Sequence, residues 1–194
     1  SLQALPSPAW VAASFMSELI AKHSPEDFGR HLAEQTRELT GARTVILLDH
    51  CDTSHCNVLH VCPERRTSLF SPEEMSLFCP QATPGEIPRK VANLPSGHPL
   101  ATLLQGKAVE SILRLPLVGG GTLNGVLVLL DLPEVDRLDD VLDTLGFLGP
   151  FFGVALENLH AHGRIRQQNE QLEQKVAVRT AELEKTNQNL ERSR

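Results

Sequence analysis

The chain has 194 residues, of which 41% are hydrophobic and 22% charged, so it can build a real core in one domain with or without an appendage. A net charge of −6 argues against a general nucleic-acid binder. No apolar run reaches the ~18 residues that a membrane span needs, and Ser1 to Leu5 lack the basic start and long apolar stretch of a signal peptide. The charge is uneven. From His160 onward there are seven Lys or Arg against five acids, which leaves eleven against nineteen in the preceding part. Without an initiator Met, the chain reads as a piece of a longer protein, with Ser1-Leu2 vector-derived. Four cysteines stand at 51, 56, 62 and 79, three of them bunched, which is no disulfide framework for a domain of this size. A reducing, cytoplasmic setting is the expectation.

In chain order, residues 8–22 carry Val11, Phe15 and Leu19 at four-residue spacing and read as a helix. A second helix starts at Ser24-Pro25-Glu26-Asp27. The Ser hydroxyl can cap a free N–H, Pro suits the first turn, and the acids face the positive helix end. Phe28, Leu32 and Leu39 form its stripe, and Gly41 is a natural stop. The period then changes. Thr44 to Leu48 is β-branched and apolar and predicts a strand, Asp52-Thr53-Ser54 a turn, and Asn57 to Val61 the return strand. Ser71-Pro72-Glu73-Glu74 repeats the capping signature over a short helix, residues 80–99 read as a long Pro- and Gly-rich loop, and Leu100 to Gln105 as a short helix closed by Gly106. Ile112 to Val118 and Gly125 to Leu130 are strong strands joined by a hairpin at Gly119-Gly120-Gly121. From about Val135 the pattern is helical and does not stop.

This order predicts an α+β domain, an antiparallel sheet with helices on both faces, followed by a long helix. The stretch ILRLPLVGGGTLNGVLVLL (112–130) resembles the strand–hairpin–strand of a GAF domain. HPLATLLQGKAVES (98–111) resembles the short helix and strand before it, and FGVALEN (152–158) the family's closing helix. The resemblance covers residues 8–160 and implies a sensor domain whose sheet is covered on both sides. LEQKVAVRTAELEKTNQNLERS (172–193) resembles the signalling helix that leads from sensor domains to histidine kinase cores, and less often to diguanylate cyclases. The expected division is therefore a sensor domain over 8–160 and a coiled-coil helix over 161–194.

Spacing alone supports the coiled coil. His162, Asn169, Val176, Leu183 and Leu190 are seven residues apart, and Ile165, Leu172, Arg179 and Thr186 follow three residues after the first four. These are a and d positions of a heptad, with five of nine aliphatic. Asn169 would fix a parallel register, and Arg179 and Thr186 weaken the seam, as suits an element whose packing shifts. A parallel homodimer held by the helix from about Phe151 to Leu190 is expected. The alternative is a plain solvated helix.

Three constellations merit weighing for chemistry. His50, Cys51, His55, Cys56, His60 and Cys62 crowd one hairpin and carry soft-ligand chemistry for a metal or haem. Their C-x4-C-x5-C spacing is not the C-x2-C of a metal knuckle, so no metal is expected there and a redox or metal sensor is the alternative. Bilin attachment, a use that the resemblance implies for some members, calls for Cys beside His in the later loop. Here Cys79 precedes Pro80, and 4% aromatic content is thin for a chromophore pocket. Arg114 points to the sheet face shared with Ile112 and Pro116, where it either meets an anionic ligand, pairs with an acid such as Asp49, or sits half-exposed on the rim. A ligand pocket is expected between the sheet and residues 63–108, lined by Phe70, Phe78, His98 and Arg114. The sequence names no cofactor.

No P-loop, Ser-His-Asp order or paired-carboxylate motif is present. The expectation is a non-catalytic sensor and dimerisation region of a two-component kinase, without nucleic-acid or membrane contact. A ligand-free structural module is the competing reading.

Overall fold

The computed structural model describes residues 13–14, 17–19, 24–49, 56–79, 89–133 and 138–193. The chain divides into two compact units, 1–157 and 158–194. The predicted helix over 8–22 lies largely outside the described residues. Within it, 13–14 and 17–19 are helical, and Leu19 is buried.

Helix α1 (Pro25–Thr40) begins and ends as the sequence dictates. Ser24 Oγ accepts from Asp27 N at 3.1 Å, and Gly41 turns the chain at φ 70°. Strands β1 (Thr44–Asp49) and β2 (Asn57–Cys62) follow, then a 3-10 turn over Glu64–Leu69 and the short helix α2 (Pro72–Ser76). The α2 start is a reciprocal cap. Glu74 N donates to Ser71 Oγ at 3.2 Å, while Ser71 N donates to Glu74 Oε2 at 2.8 Å. Where the sequence predicted only loop over 80–99, the structure has β3 (Arg89–Lys90) and a 3-10 turn over Val91–Asn93. The β3 residues pair with Ser111 and Ile112, so a neighbouring strand rather than local propensity makes them extended. Helix α3 (Pro99–Gly106), β4 (Ser111–Gly119), β5 (Thr122–Leu130) and α4 (Leu138–Arg192) complete the order.

The sheet is antiparallel throughout, in the order β2-β1-β5-β4-β3. Gly120 and Gly121 take φ 58° and 79° in the two-residue turn between β4 and β5, the mirror-image geometry that a tight hairpin favours and that glycine alone adopts without strain. All six β1 residues are buried, which requires cover on both faces. By alternation Val45 and Leu47 share one face with Leu113, Leu117, Leu127 and Leu129. There α1 packs on β1 and β2, and Gly149 and Leu156 of α4 lie against Leu115 and Gly125. Ile46, Leu48, Ile112, Val126, Val128 and Leu130 share the other face. Their cover is an apolar layer of Phe70, Met75, Phe78, Val91, Leu100 and Leu104.

The α4 helix meets the hairpin backbone to backbone. A side chain on Gly153 would strike the Val118 carbonyl oxygen, and Asn124 Nδ2 donates to both the Gly153 and the Gly119 carbonyls at 3.4 Å. The Glu157 carboxylate occupies the space beside Gly119 and Gly120. Gly153→Ala is therefore expected to destabilise the fold by about 2 kcal/mol, the usual scale of overpacking. Gly163, also helical, has nothing near its open side, so Gly163→Ala should stabilise by up to about 1 kcal/mol. Urea unfolding of the two variants checks the contrast, and equal effects would refute it.

Candidate functional site

The sheet face opposite α1 and α4 gathers three of the four expected pocket residues. Phe70 follows the 3-10 turn and Phe78 follows α2; their rings meet edge to face with centroids 5.3 Å apart. Both are buried, and Arg114 reaches them from β4. Its Nη1 donates to the Phe78 carbonyl at 3.3 Å. Arg114 is 6% exposed, which corrects the reading of a half-exposed rim residue. A cation thus lies against the apolar layer of Phe70, Met75 and Phe78, and the Phe78 carbonyl that it engages belongs to that layer. Such a group can orient an anionic or carbonyl-bearing ligand, because charge-assisted hydrogen bonds strengthen where water is scarce.

The suggested pairing of Arg114 with Asp49 does not form. Asp49 aligns with Gly125 on the face of Val45 and Leu47, whereas Arg114 aligns with Val128 on the face of Ile46. The two lie on opposite faces, two strands and three register positions apart.

His98 is held differently. Its Nδ1 accepts from Leu100 N at 3.2 Å, so the imidazole caps α3 and seats Leu100 and Leu104 in the apolar layer. Lys107, at the far end of α3, reaches the Glu74 carboxylate at 3.5 Å and lies 5.9 Å from the Phe70 ring centroid. Helices α2 and α3 are thereby tied to one another across the cover. Lys107 and Met75 were not singled out by sequence, although Lys107 lies within the 98–111 stretch that resembles the family.

The Cys/His hairpin divides. His50, Cys51 and His55 lie outside the described residues. Of the rest, His60 and Cys62 align with Leu47 and Val45 and face α1, with Gly29 against His60. Cys56 packs with Val58 into the opposite, Phe70-bearing layer. The three therefore cannot share one metal ion, and no metal-holding group of His, Cys, Asp or Glu occurs among the described residues. Cys56 is joined to Cys79 by a disulfide, against the expectation of unpaired thiols. Nothing in the spacing announced a partner so distant in sequence.

Burial under α1 pushes the His60 imidazole below its ordinary value, with Arg30 adding to the effect and Glu64 and Glu34 opposing it. Burial likewise pushes the Cys62 thiol up, opposed by Arg37. Because folded His60 resists protonation, the unfolded chain binds more protons as pH falls through 6.5, and stability falls with it. His60→Gln should flatten the loss of stability between neutral and mildly acidic pH, as followed by urea midpoints; an unchanged pH slope would refute the assignment. Arg114→Met, which leaves the Phe78 carbonyl without this donor, should cost about 1–3 kcal/mol in the same assay.

In the unit 158–194, the helix is exposed throughout its described heptad positions, and its charged residues pair along its own surface. Arg166 meets Glu170 at 3.2 Å, and Arg179 meets Glu182 at 3.0 Å. Its apolar residues Ile165, Leu172, Val176, Leu183 and Leu190 are between 54% and 68% exposed.

Comparison with known proteins decides the family: residues 24–156 match the GAF domain family. The chain belongs to that family. Among solved structures it is similar to the GAF domain assigned to a sensor histidine kinase of Pseudomonas syringae pv. tomato, at 18% identity and a TM-score of 0.56, covering 83% of this chain and 92% of that one. The phycoerythrobilin-bound GAF domain of a cyanobacterial phytochrome matches at 15% identity and a TM-score of 0.58, covering 82% of this chain and 100% of that one. The Stigmatella aurantiaca phytochrome photosensory core module matches at 16% identity and a TM-score of 0.60, covering 88% of this chain and 40% of that one. At such identities the likeness is one of fold. None of the curated protein sequences compared is significantly similar to the chain. No described helix is long and apolar enough to cross a membrane.

Proposed function

We infer that the chain is the regulatory sensor and dimerisation region of a signal-transduction protein, with a histidine kinase as its preferred output. A small molecule held between the sheet and the 63–108 cover, near Arg114, Phe70 and Phe78, biases the packing of the C-terminal helix. That helix passes the bias on. The domain carries no catalytic role in this reading; its function is to shift a population between two arrangements.

The observation that carries the reading is the exposed heptad stripe. Ile165, Leu172, Val176, Leu183 and Leu190 recur on one helix, each more than half exposed, where water contact is costly. A second copy presents the same stripe, and a parallel pairing would bring the two Asn169 side chains together at their a positions. Phe147 and Phe151, ring neighbours at 5.5 Å and both exposed, add apolar surface to the same helix within the GAF unit. Membership in the GAF family supports the sensory role, and the Pseudomonas neighbour supports the kinase setting.

Light scattering should give a dimer for the chain and a monomer for the double variant Leu172→Asp/Leu183→Asp. A version ending at Glu157 should lose the dimer as well; an equally stable dimer without the helix would sink the claim. Incubated with labelled ATP, the chain should stay unlabelled. Labelling at His160 or His162 would make the helix a phospho-acceptor and overturn the reading.

The packing of the Phe70, Met75 and Phe78 layer favours a second reading, a structural dimerisation module that binds nothing. Thermal shifts against a panel of nucleotides and metabolites separate the two, since a ligand that binds only the folded state raises the midpoint and Arg114→Met should abolish the rise.

A further inference from the structure

We propose that Cys56 and Cys79 form a reversible dithiol–disulfide site, reacting with small disulfides, whose state sets how firmly the 63–79 cover is held on the sheet. The site stands whether or not a ligand binds near Arg114.

Placement is the first support. Cys56, at the entrance to β2, and Cys79, just beyond α2, are 23 residues apart in sequence, yet they are bonded in one layer. The loop they close contains β2, the 3-10 turn and α2, hence both Phe70 and Phe78. Cys79 directly follows the residue whose carbonyl receives Arg114. A bond at this point adds a covalent tie to a cover that Lys107 and Glu74, Arg66 and Thr44, and Arg114 and the Phe78 carbonyl also hold. Closing a loop restricts the open states of the chain and so favours the docked cover.

Asymmetry of exposure is the second support. Cys56 is half-buried and Cys79 is 2% exposed, so a reactant from solution meets Cys56 first. Cys62 does not compete. It faces α1 on the opposite side of the sheet, and burial keeps its thiol protonated.

The chemistry is an exchange in two steps. The Cys56 thiolate attacks one sulfur of a low-molecular-weight disulfide, forming a mixed disulfide and expelling one small thiolate. The Cys79 thiolate then attacks the Cys56 sulfur, forming the Cys56–Cys79 bond and expelling the second small thiolate. Two protein thiols are oxidised, one small disulfide is reduced to two thiols, and the two cysteine protons end on those thiols. Excess small thiol runs the steps backwards.

The test equilibrates the intact chain over a series of glutathione to glutathione disulfide ratios, followed by acid quench, alkylation and peptide mass analysis. A Cys56–Cys79 cross-link that appears and disappears with the ratio is expected. In Cys79→Ser the glutathione adduct should accumulate on Cys56, whereas Cys51→Ser and Cys62→Ser should leave the cross-link intact. Hydrogen exchange over residues 63–79 should be about tenfold slower in the oxidised chain. Should Cys79→Ser fail to fold, the wild-type cross-link and exchange data decide alone. A cross-link through Cys51 or Cys62 instead, none at any ratio, one that no ratio reduces, or unchanged exchange would each overturn the proposal.

Discussion

Everything in the GAF unit follows from β1 having no face left for water. Six consecutive buried residues leave its side chains nowhere to be solvated, so the fold needs two covers rather than one. Each buried aliphatic side chain on β1 is worth roughly 1.5–3 kcal/mol if the cover stays in place. The two covers are built by different means. One is made of regular helices, α1 and α4, held by their own backbone hydrogen bonds save where Pro150 lacks an N–H. The other is an irregular assembly of two short helices and two 3-10 turns. That assembly depends on side-chain devices: the Ser71–Glu74 cap, the His98 cap, the Lys107–Glu74 pair and the Cys56–Cys79 bond. The division places adaptability on the face where Arg114 lies.

The elements with local start and stop signals were largely legible in the sequence. Capping residues at Ser24 and Ser71, the αL glycine at 41 and the paired glycines at 120 and 121 are local signals with local causes. Each element they bound was found close to where the pattern placed it. The continuous helix after the sheet was equally plain, because its period persists without a breaker that ends it. Pro150 lies inside the helix, which continues past it to Arg192.

The irregular half was legible only in its two short helices, for physical reasons. Strand β3 is two residues long and owes its conformation to hydrogen bonds with β4, which no local pattern encodes. The Cys56–Cys79 bond joins residues whose nearness is a product of the whole β2–α2 path. The division of the Cys/His hairpin needed a register shift on β2, beside Leu47 and Leu48, that sequence alternation does not reveal. Alternation did, by contrast, place Arg114 on the correct face of its strand. It failed only for the acid thought to accompany it, because facing requires both strands in register and one of the two candidates sat a face away.

The contact between Gly153 and the Val118 carbonyl bears on how the sheet and α4 can move. Where flexible side chains lie between layers, a small displacement is taken up by their torsions. Between the hairpin and α4 there is main chain against main chain, braced by Asn124 and by the Glu157 carboxylate. Such a joint has almost no compliance. A shear of the β4–β5 hairpin has no soft element there to absorb it, so the first part of α4 must follow as a stiff lever instead of merely repacking.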